Sequence, residues 1–384
     1  MKPLLIALVI AFTSGAARAQ EAGVAKESEK GEAKDDEPAD ELDLEGRVFV
    51  RSTLSRLDIE AFDDEPVLHD LSLASARLTA DYKMGKRFKV VVEAELSNND
   101  LDLKDVFVRT RLAEDVNLTA GQFKKPISPI ALESSWRLPL VERGLLGDLD
   151  SRTTAPDSSV PLPFGGRGIG AAVEADLDAP LAPRLTAAIF QHSIIDTEII
   201  DLREALPLDP FLRVRIEPVR EMRFGATFAV ITHRNRRITS SEGIDHAPLG
   251  SLDAEVERGP VKVWLETFLG GSTVYDRPAC GSCPIDEAGI ARGTMIGARA
   301  LAAVRIDGLA AWLRRLEPFL AGSYVDPHLD VDGDHAYQAA TGVSLLLHER
   351  LRLQTEIEVT RTSDDPLLMQ ASRTVLYTQL GAVF

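Results

Sequence analysis

Residues 350–361 read RLRLQTEIEVTR. In an extended chain Leu351, Leu353, Thr355, Ile357 and Val359 point to one side, and Arg350, Arg352, Gln354, Glu356 and Glu358 to the other. Successive strand side chains alternate between faces, so this is a strand with one apolar and one charged face. RFKVVVEAEL (87–96) repeats the pattern, with Phe88, Val90, Val92, Ala94 and Leu96 opposite Lys89, Glu93 and Glu95. MRFGATFAVI (222–231) gathers Met222, Phe224, Ala226, Phe228 and Val230 on its apolar face. VKVWLETFL (261–269) sets Val261, Val263, Leu265, Thr267 and Leu269 against Lys262, Trp264, Glu266 and Phe268. About sixteen such segments follow one another, starting near residues 46, 70, 87, 103, 116, 167, 184, 211, 221, 250, 260, 293, 309, 336, 350 and 373. A period of two sustained over this length marks an all-β protein.

The connections decide which kind. Tight turns are expected at 83–86, 113–116, 177–183, 218–221, 257–260, 307–309 and 348–350. Between them fall longer loops at 58–69, 97–102, 125–166, 195–210, 232–249, 270–292, 325–335 and 363–371. Short turns at one end and long loops at the other describe an up-and-down barrel of the outer-membrane kind. Beyond Phe12 no run of apolar residues is long enough for a membrane helix, whereas a tilted barrel strand needs only about 9–11 residues. A mean hydropathy of −0.04 suits such a barrel and suits a soluble sheet equally. The final residues, TVLYTQLGAVF, place Leu376, Thr378, Leu380, Ala382 and Phe384 on one face, so a lipid-facing strand ends on an aromatic. The expected fold is a 16-stranded antiparallel transmembrane barrel over residues 46–384.

Ahead of the barrel lie two segments of different character. Lys2, the apolar run LLIALVIAF and Ala17-Arg18-Ala19 form a secretory signal over residues 1–19, with a small-residue cleavage site. Residues 21–45 hold eleven acids against three lysines and almost no large apolar side chain. That composition cannot bury enough surface to order itself, so residues 20–45 are expected to be a disordered acidic arm in the periplasm. The chain as a whole carries a formal charge of −17, much of it in this arm. Its two cysteines, Cys280 and Cys283, sit in ACGSCP. In an exported chain the pair reads as a disulfide stapling a small loop.

Chemistry-bearing motifs are sparse. DPHLDVDGDH (326–335) clusters four aspartates, but not at the spacing of a calcium loop. There is no Gly-x-Ser-x-Gly, phosphate loop or dinucleotide fingerprint, and the seven histidines have no metal spacing. Basic residues are not interleaved with aromatics as nucleic-acid binding requires. No cofactor is expected.

Against this background LKDVFVRTRLAEDVNLTAGQFKKPISPIALESS (103–135), LVERGLL (140–146) and GGRGIGAAVEADL (165–177) resemble the phosphate-selective porin O and P family. The shared features are Lys104-Asp105 entering a strand, Gly121-Gln122-Phe123-Lys124 ending one, Glu142-Arg143, and Gly166-Arg167 opening the next. LEPFLAGSYVDP (316–327) and QLGAVF add a more diffuse likeness. The resemblance implies an outer-membrane diffusion pore, a homotrimer, and a loop over 125–166 that folds inward to narrow the lumen. It also implies partners: small inorganic anions such as phosphate or other small solutes, outer-membrane lipid, and the barrel-assembly machinery acting on Phe384.

Rings of Arg or Lys in a narrow pore compensate an anion for the water it sheds. Arg suits an oxyanion, because its fork meets two oxygens at once. By alternation Arg109 and Arg111 share the lumen face with Asp105 and Phe107, and Arg47 and Arg51 face inward as well. Lys124 and Lys125 stand at the strand–loop junction, with Lys124 expected to point inward beside Gln122 and opposite Phe123. The loop contributes Arg137 and Arg143. These eight are the candidate pore-lining residues; the plainer reading is that each pairs with a lumen acid and props the wall. Two other functions remain open: a general, non-selective pore, and a barrel-embedded hydrolase.

Overall fold

The computed structural model describes residues 40–59, 67–97, 100–145, 166–191, 208–235, 243–271, 294–326, 329, 335–362 and 371–384. The signal segment, most of the acidic arm, Cys280, Cys283 and most of the aspartate-rich 326–335 stretch lie outside these residues. The strands are β1 (Glu41–Ile59), β2 (Val67–Met84), β3 (Phe88–Ser97), β4 (Asp100–Ala113), β5 (Val116–Lys124), β6 (Arg167–Asp176), β7 (Arg184–Gln191) and β8 (Leu208–Val219). They continue as β9 (Met222–Asn235), β10 (Gly243–Arg258), β11 (Val261–Gly271), β12 (Thr294–Val304), β13 (Ile306–Ala310), β14 (Leu313–Asp326), β15 (Ala336–His348), β16 (Leu351–Thr362) and β17 (Ala371–Val383).

All pairings are antiparallel between neighbours, and β1 pairs with both β2 and β17, so the sheet closes on itself. β12 and β13 run in succession along the same partner, β14. They form one stave, and the barrel has the sixteen staves expected. The stave breaks at Arg305. Gly308, at φ +75°, absorbs an irregularity in the β13–β14 register, and the chain reverses after Ala310. The turn is thus later than the expected 307–309, because glycine takes up a bulge here and not the reversal.

Burial is inverted relative to a soluble protein. On β16 Glu356 is 1 % exposed and Ile357 45 %; on β11 Trp264 is 2 % exposed and Leu265 49 %. The charged faces line the interior, and the apolar faces of β3, β9, β11, β16 and β17 form the outside, as the alternation requires. No helix among the described residues is long and apolar enough to cross a membrane, and the strands supply the crossing.

β1 begins at Glu41 rather than at residue 46, so the end of the acidic stretch is strand. Its acids find partners on β2: Glu41 pairs with Lys83 at 2.9 Å, and Asp40 accepts from the Tyr82 hydroxyl at 2.9 Å. Gly46 exchanges two backbone hydrogen bonds with Phe384 (2.8 and 2.9 Å), which ties the end of the last stave to the first. A Cβ on Gly46 would lie 2.3 Å from the Phe384 ring, so glycine is what lets the terminal aromatic seat there.

Candidate functional site: the lumen and its inward loop

After β5 the chain leaves the wall and folds into the barrel. Ser128 caps a single helical turn, α1 (Pro129–Leu132), accepting from the Ala131 amide at 3.0 Å. Serine at the cap and proline in the first turn are the residues that such a start favours. Ile130, Leu138 and Leu140 then bury themselves against Trp264, Leu301 and Phe319 of the wall. Ile127 joins a second apolar group with Phe190, Phe211, Phe268 and Met295.

Polar bonds fix the loop on top of this packing. Glu266 and Arg299 are register partners on β11 and β12 and form a buried ion pair, with the Arg299 Nε 3.0 Å from the carboxylate. The same carboxylate accepts from the Ser128 hydroxyl at 2.7 Å and the Ile130 amide at 2.9 Å. Arg299 also donates to the Arg143 carbonyl at 2.8 Å. Further round the same side the lumen face of β16 acts as a rail. Arg352 donates to the Trp136 carbonyl, Gln354 to those of Pro139 and Leu140 (2.9 and 3.0 Å), and Glu356 accepts from the Val141 amide at 2.6 Å. Spacing of two along the strand thus meets successive peptide groups of the loop.

This arrangement sorts the candidate residues. Arg47 donates to the Ser134 hydroxyl at 2.9 Å and pairs with Glu45 at 2.6 Å. Arg51 pairs with Glu142 and donates to Gln379 at 2.9 Å. Arg143 donates to the Ala131 and Glu133 carbonyls, both at 2.8 Å. The Lys124 ammonium donates to the carbonyls of Ala131, Leu132 and Glu133 at 2.9, 3.0 and 3.3 Å. These four hold the loop, and two of them meet at the carbonyl end of its helical turn, where cations are favoured.

Lys124 reaches the interior, though not by the expected alternation. Phe123 is the inward side chain, 4.9 Å from Phe190 ring to ring, while the Gln122 amide bonds to the Leu103 and Lys104 carbonyls. Gly121 (φ +131°) and Gly166 (φ +75°) break regular strand geometry at this end. Lys125 is buried, at 5 % exposure, with its ammonium 3.6 Å from Asp209 and above the Phe211 ring. It does not line open lumen, because the chain has already turned toward β8.

Three of the eight face water. Arg137 has a 77 % exposed side chain at the loop, with Glu133 3.9 Å away. Arg109 is exposed, and the only hydrogen bond of its side chain among the described residues goes to Thr119, at 3.1 Å; the exposed Arg111 side chain makes none there. By contrast Glu93, Glu95 and Asp105 on the same wall are held by Arg47, Arg77, Lys104 and Arg167. The alternation argument did not pick out Arg167 as a site residue, although Gly166-Arg167 was noted as a strand start.

Residues 48–166, from β1 to the end of the loop region, match the family described as phosphate-selective porin O and P. The match spans under a third of the chain, so it is a likeness to this family over β1–β5 and the loop that follows. Solved porins share its fold. An anion-selective porin from Comamonas acidovorans aligns with a TM-score of 0.60 at 12 % identity, covering 90 % of this chain and 100 % of that one. OmpF of Salmonella typhi, in complex with daunomycin, gives 0.59 at 10 % identity, with 89 % and 97 % covered. The trimer form of OmpT from Vibrio cholerae gives 0.50 at 10 %, with 90 % and 100 % covered. At such identities the likeness is one of fold. No curated protein matches the sequence.

Proposed function

We propose that this chain is a passive diffusion porin of the outer membrane that prefers small anions, and that they pass on one side of the barrel, along the β2–β4 wall. The loop is bonded to Arg213 and Thr227 on β8 and β9, Ser251 on β10, Glu266 and Arg299 on β11 and β12, Ser323 on β14 and the β16 rail. Arg47 and Arg51 of β1 and Lys124 of β5 hold its near edge, so among the described residues the loop makes no bond to β2–β4, and that wall is the passage. The observation that carries the reading is the charge there: the carboxylates Glu93, Glu95 and Asp105 are engaged by cations, while Arg109, Arg111 and Arg137 meet water. Guanidinium groups in a narrow lumen favour anions and exclude cations. The chain's overall acidity does not oppose this, since a pore selects on its lining and nearly half of the net charge, −8 of −17, lies in the residue 21–45 stretch.

The anion-selective porin with the same fold supports the reading, and the trimeric neighbour supports assembly of three copies. The family match and the fold favour a pore over the barrel-embedded hydrolase. The test is charge reversal in planar bilayers: Arg109→Glu with Arg111→Glu is expected to lower the anion-to-cation permeability ratio several-fold. An unchanged ratio would remove these residues from the pathway.

A further inference from the structure

β1 overshoots its neighbour. Its pairing with β17 starts at Arg47 and Val383, and Gly46 exchanges both backbone bonds with Phe384. Its pairing with β2 runs on past that point, from Glu45–Thr79 to Glu41–Lys83. At the short-turn end a ribbon of β1 and β2 therefore stands beyond the last stave, and one edge of β1 is paired by no described residue. Alternation fixes which groups look out from that edge. Gly46 turns its N–H and C=O toward β17, so Leu44 and Leu42 turn theirs the same way, while Glu45, Asp43 and Glu41 bond to β2.

The side chains sort by face as well. Glu41, Asp43 and Glu45 lie on the side of Arg47, the lumen side. Leu42 and Leu44 lie on the outer side, where Leu44 is 48 % and Phe384 69 % exposed. The acids are only partly neutralised. Glu41 has Lys83 at 2.9 Å and Glu45 has Arg47 at 2.6 Å. Asp43 stands directly opposite Asp81, whose carboxylate already holds Lys89. Like charges facing across a ladder destabilise it, and an opposite charge beside them stabilises it. Asp43 is exposed and makes no ion pair with a described residue.

The occupant follows from these features. Donors and acceptors that recur at every second residue match another extended backbone, which adds a strand to an open edge. The acids then choose among strands. A second copy's edge carries the same charges and is repelled, as is the acid-rich 21–39 stretch of this chain; a basic strand is attracted. We propose that β1 at Glu41–Glu45 is a docking edge for an extended, lysine- or arginine-bearing segment of a periplasmic protein. Its basic side chains fall on the Asp43 face, and its apolar ones against Leu42, Leu44 and Phe384. The docked strand continues the line of β17 beyond Phe384. The site lies outside the lumen and does not depend on the anion preference.

The test uses the full chain in detergent micelles and a short fluorescent peptide that alternates lysine with valine, followed by anisotropy. Binding is expected, and added salt weakens it. A peptide with glutamate in place of lysine is expected not to bind. Leu44→Pro removes one outward N–H and spares the bonds to β2, since proline is tolerated on a strand edge whose N–H side is free. It is expected to weaken binding several-fold with conductance unchanged, and Asp43→Lys to weaken binding as well. Gel mobility before and after boiling reports folding of each variant. If the parent does not bind the lysine–valine peptide, the docking edge is refuted. If Leu44→Pro binds it as the parent does, charge alone attracts the peptide and the edge is refuted too. If the parent instead self-associates and Leu44→Pro abolishes that association, the occupant is a second copy and the proposal falls.

Discussion

Lys124 and Lys125 are neighbours in the chain and end in different chemistry. The first caps the carbonyls of the loop's helical turn; the second is enclosed with Asp209. Lys125→Met leaves a fully buried carboxylate without this cation, and removing one partner of a buried pair costs about 3–5 kcal/mol. The expected outcome is a lower temperature of unfolding, read by heat-dependent gel mobility, with little change in ion preference. Arg137→Gln, in contrast, is expected to alter ion preference and leave that temperature unchanged, because its side chain is mostly in water. Alternation made the inward direction of Arg47, Arg51, Arg109 and Arg111 legible in the sequence. It could not say which of them stay free, since that depends on strand register and on where the loop runs. It misjudged the facing of Gln122 and Phe123, because glycines with positive φ interrupt the strand on either side of the loop.

At the scale of elements, the loop and its holders form one unit, and Glu266 is its centre. Glu266→Ala strips the acceptor from Ser128, from the Ile130 amide and from Arg299 together. We expect a more mobile loop, a less stable barrel and faster proteolysis within 125–145, whereas Glu266→Gln, which keeps an acceptor, should be milder. Equal protease resistance of Glu266→Ala and the parent would contradict the assignment. That the segment folds inward came from family resemblance, not from its own residues. One direct signal was present: Trp264 and Phe268 stand on the charged face of 261–269, and an aromatic among lumen residues needs something apolar to pack against. The Ser128-Pro129 pair likewise marks the start of a helical turn within the loop.

For the whole molecule, strand count, order and facing were readable because a period of two is fixed by backbone geometry, and one buried polar face with one apolar outer face follows from it. The turn at 307–309 and the start at residue 46 were misplaced because a bulge and a β1–β2 ion pair are tertiary facts. The outer face carries its own prediction. Leu320 on β14 is among the most exposed apolar residues, and Leu320→Arg places a charge in lipid, which costs about 2–4 kcal/mol at the bilayer midplane and less toward its edges. Folding titrations into lipid vesicles measure that loss, and an unaffected variant would mean that this face does not meet hydrocarbon. The central claim, a pore whose open side is governed by exposed guanidiniums, is tested most directly by the zero-current potential of the reconstituted chain across a potassium chloride gradient. The account predicts the sign for chloride as the main carrier; a potential of the opposite sign, with potassium carrying most of the current, would contradict it.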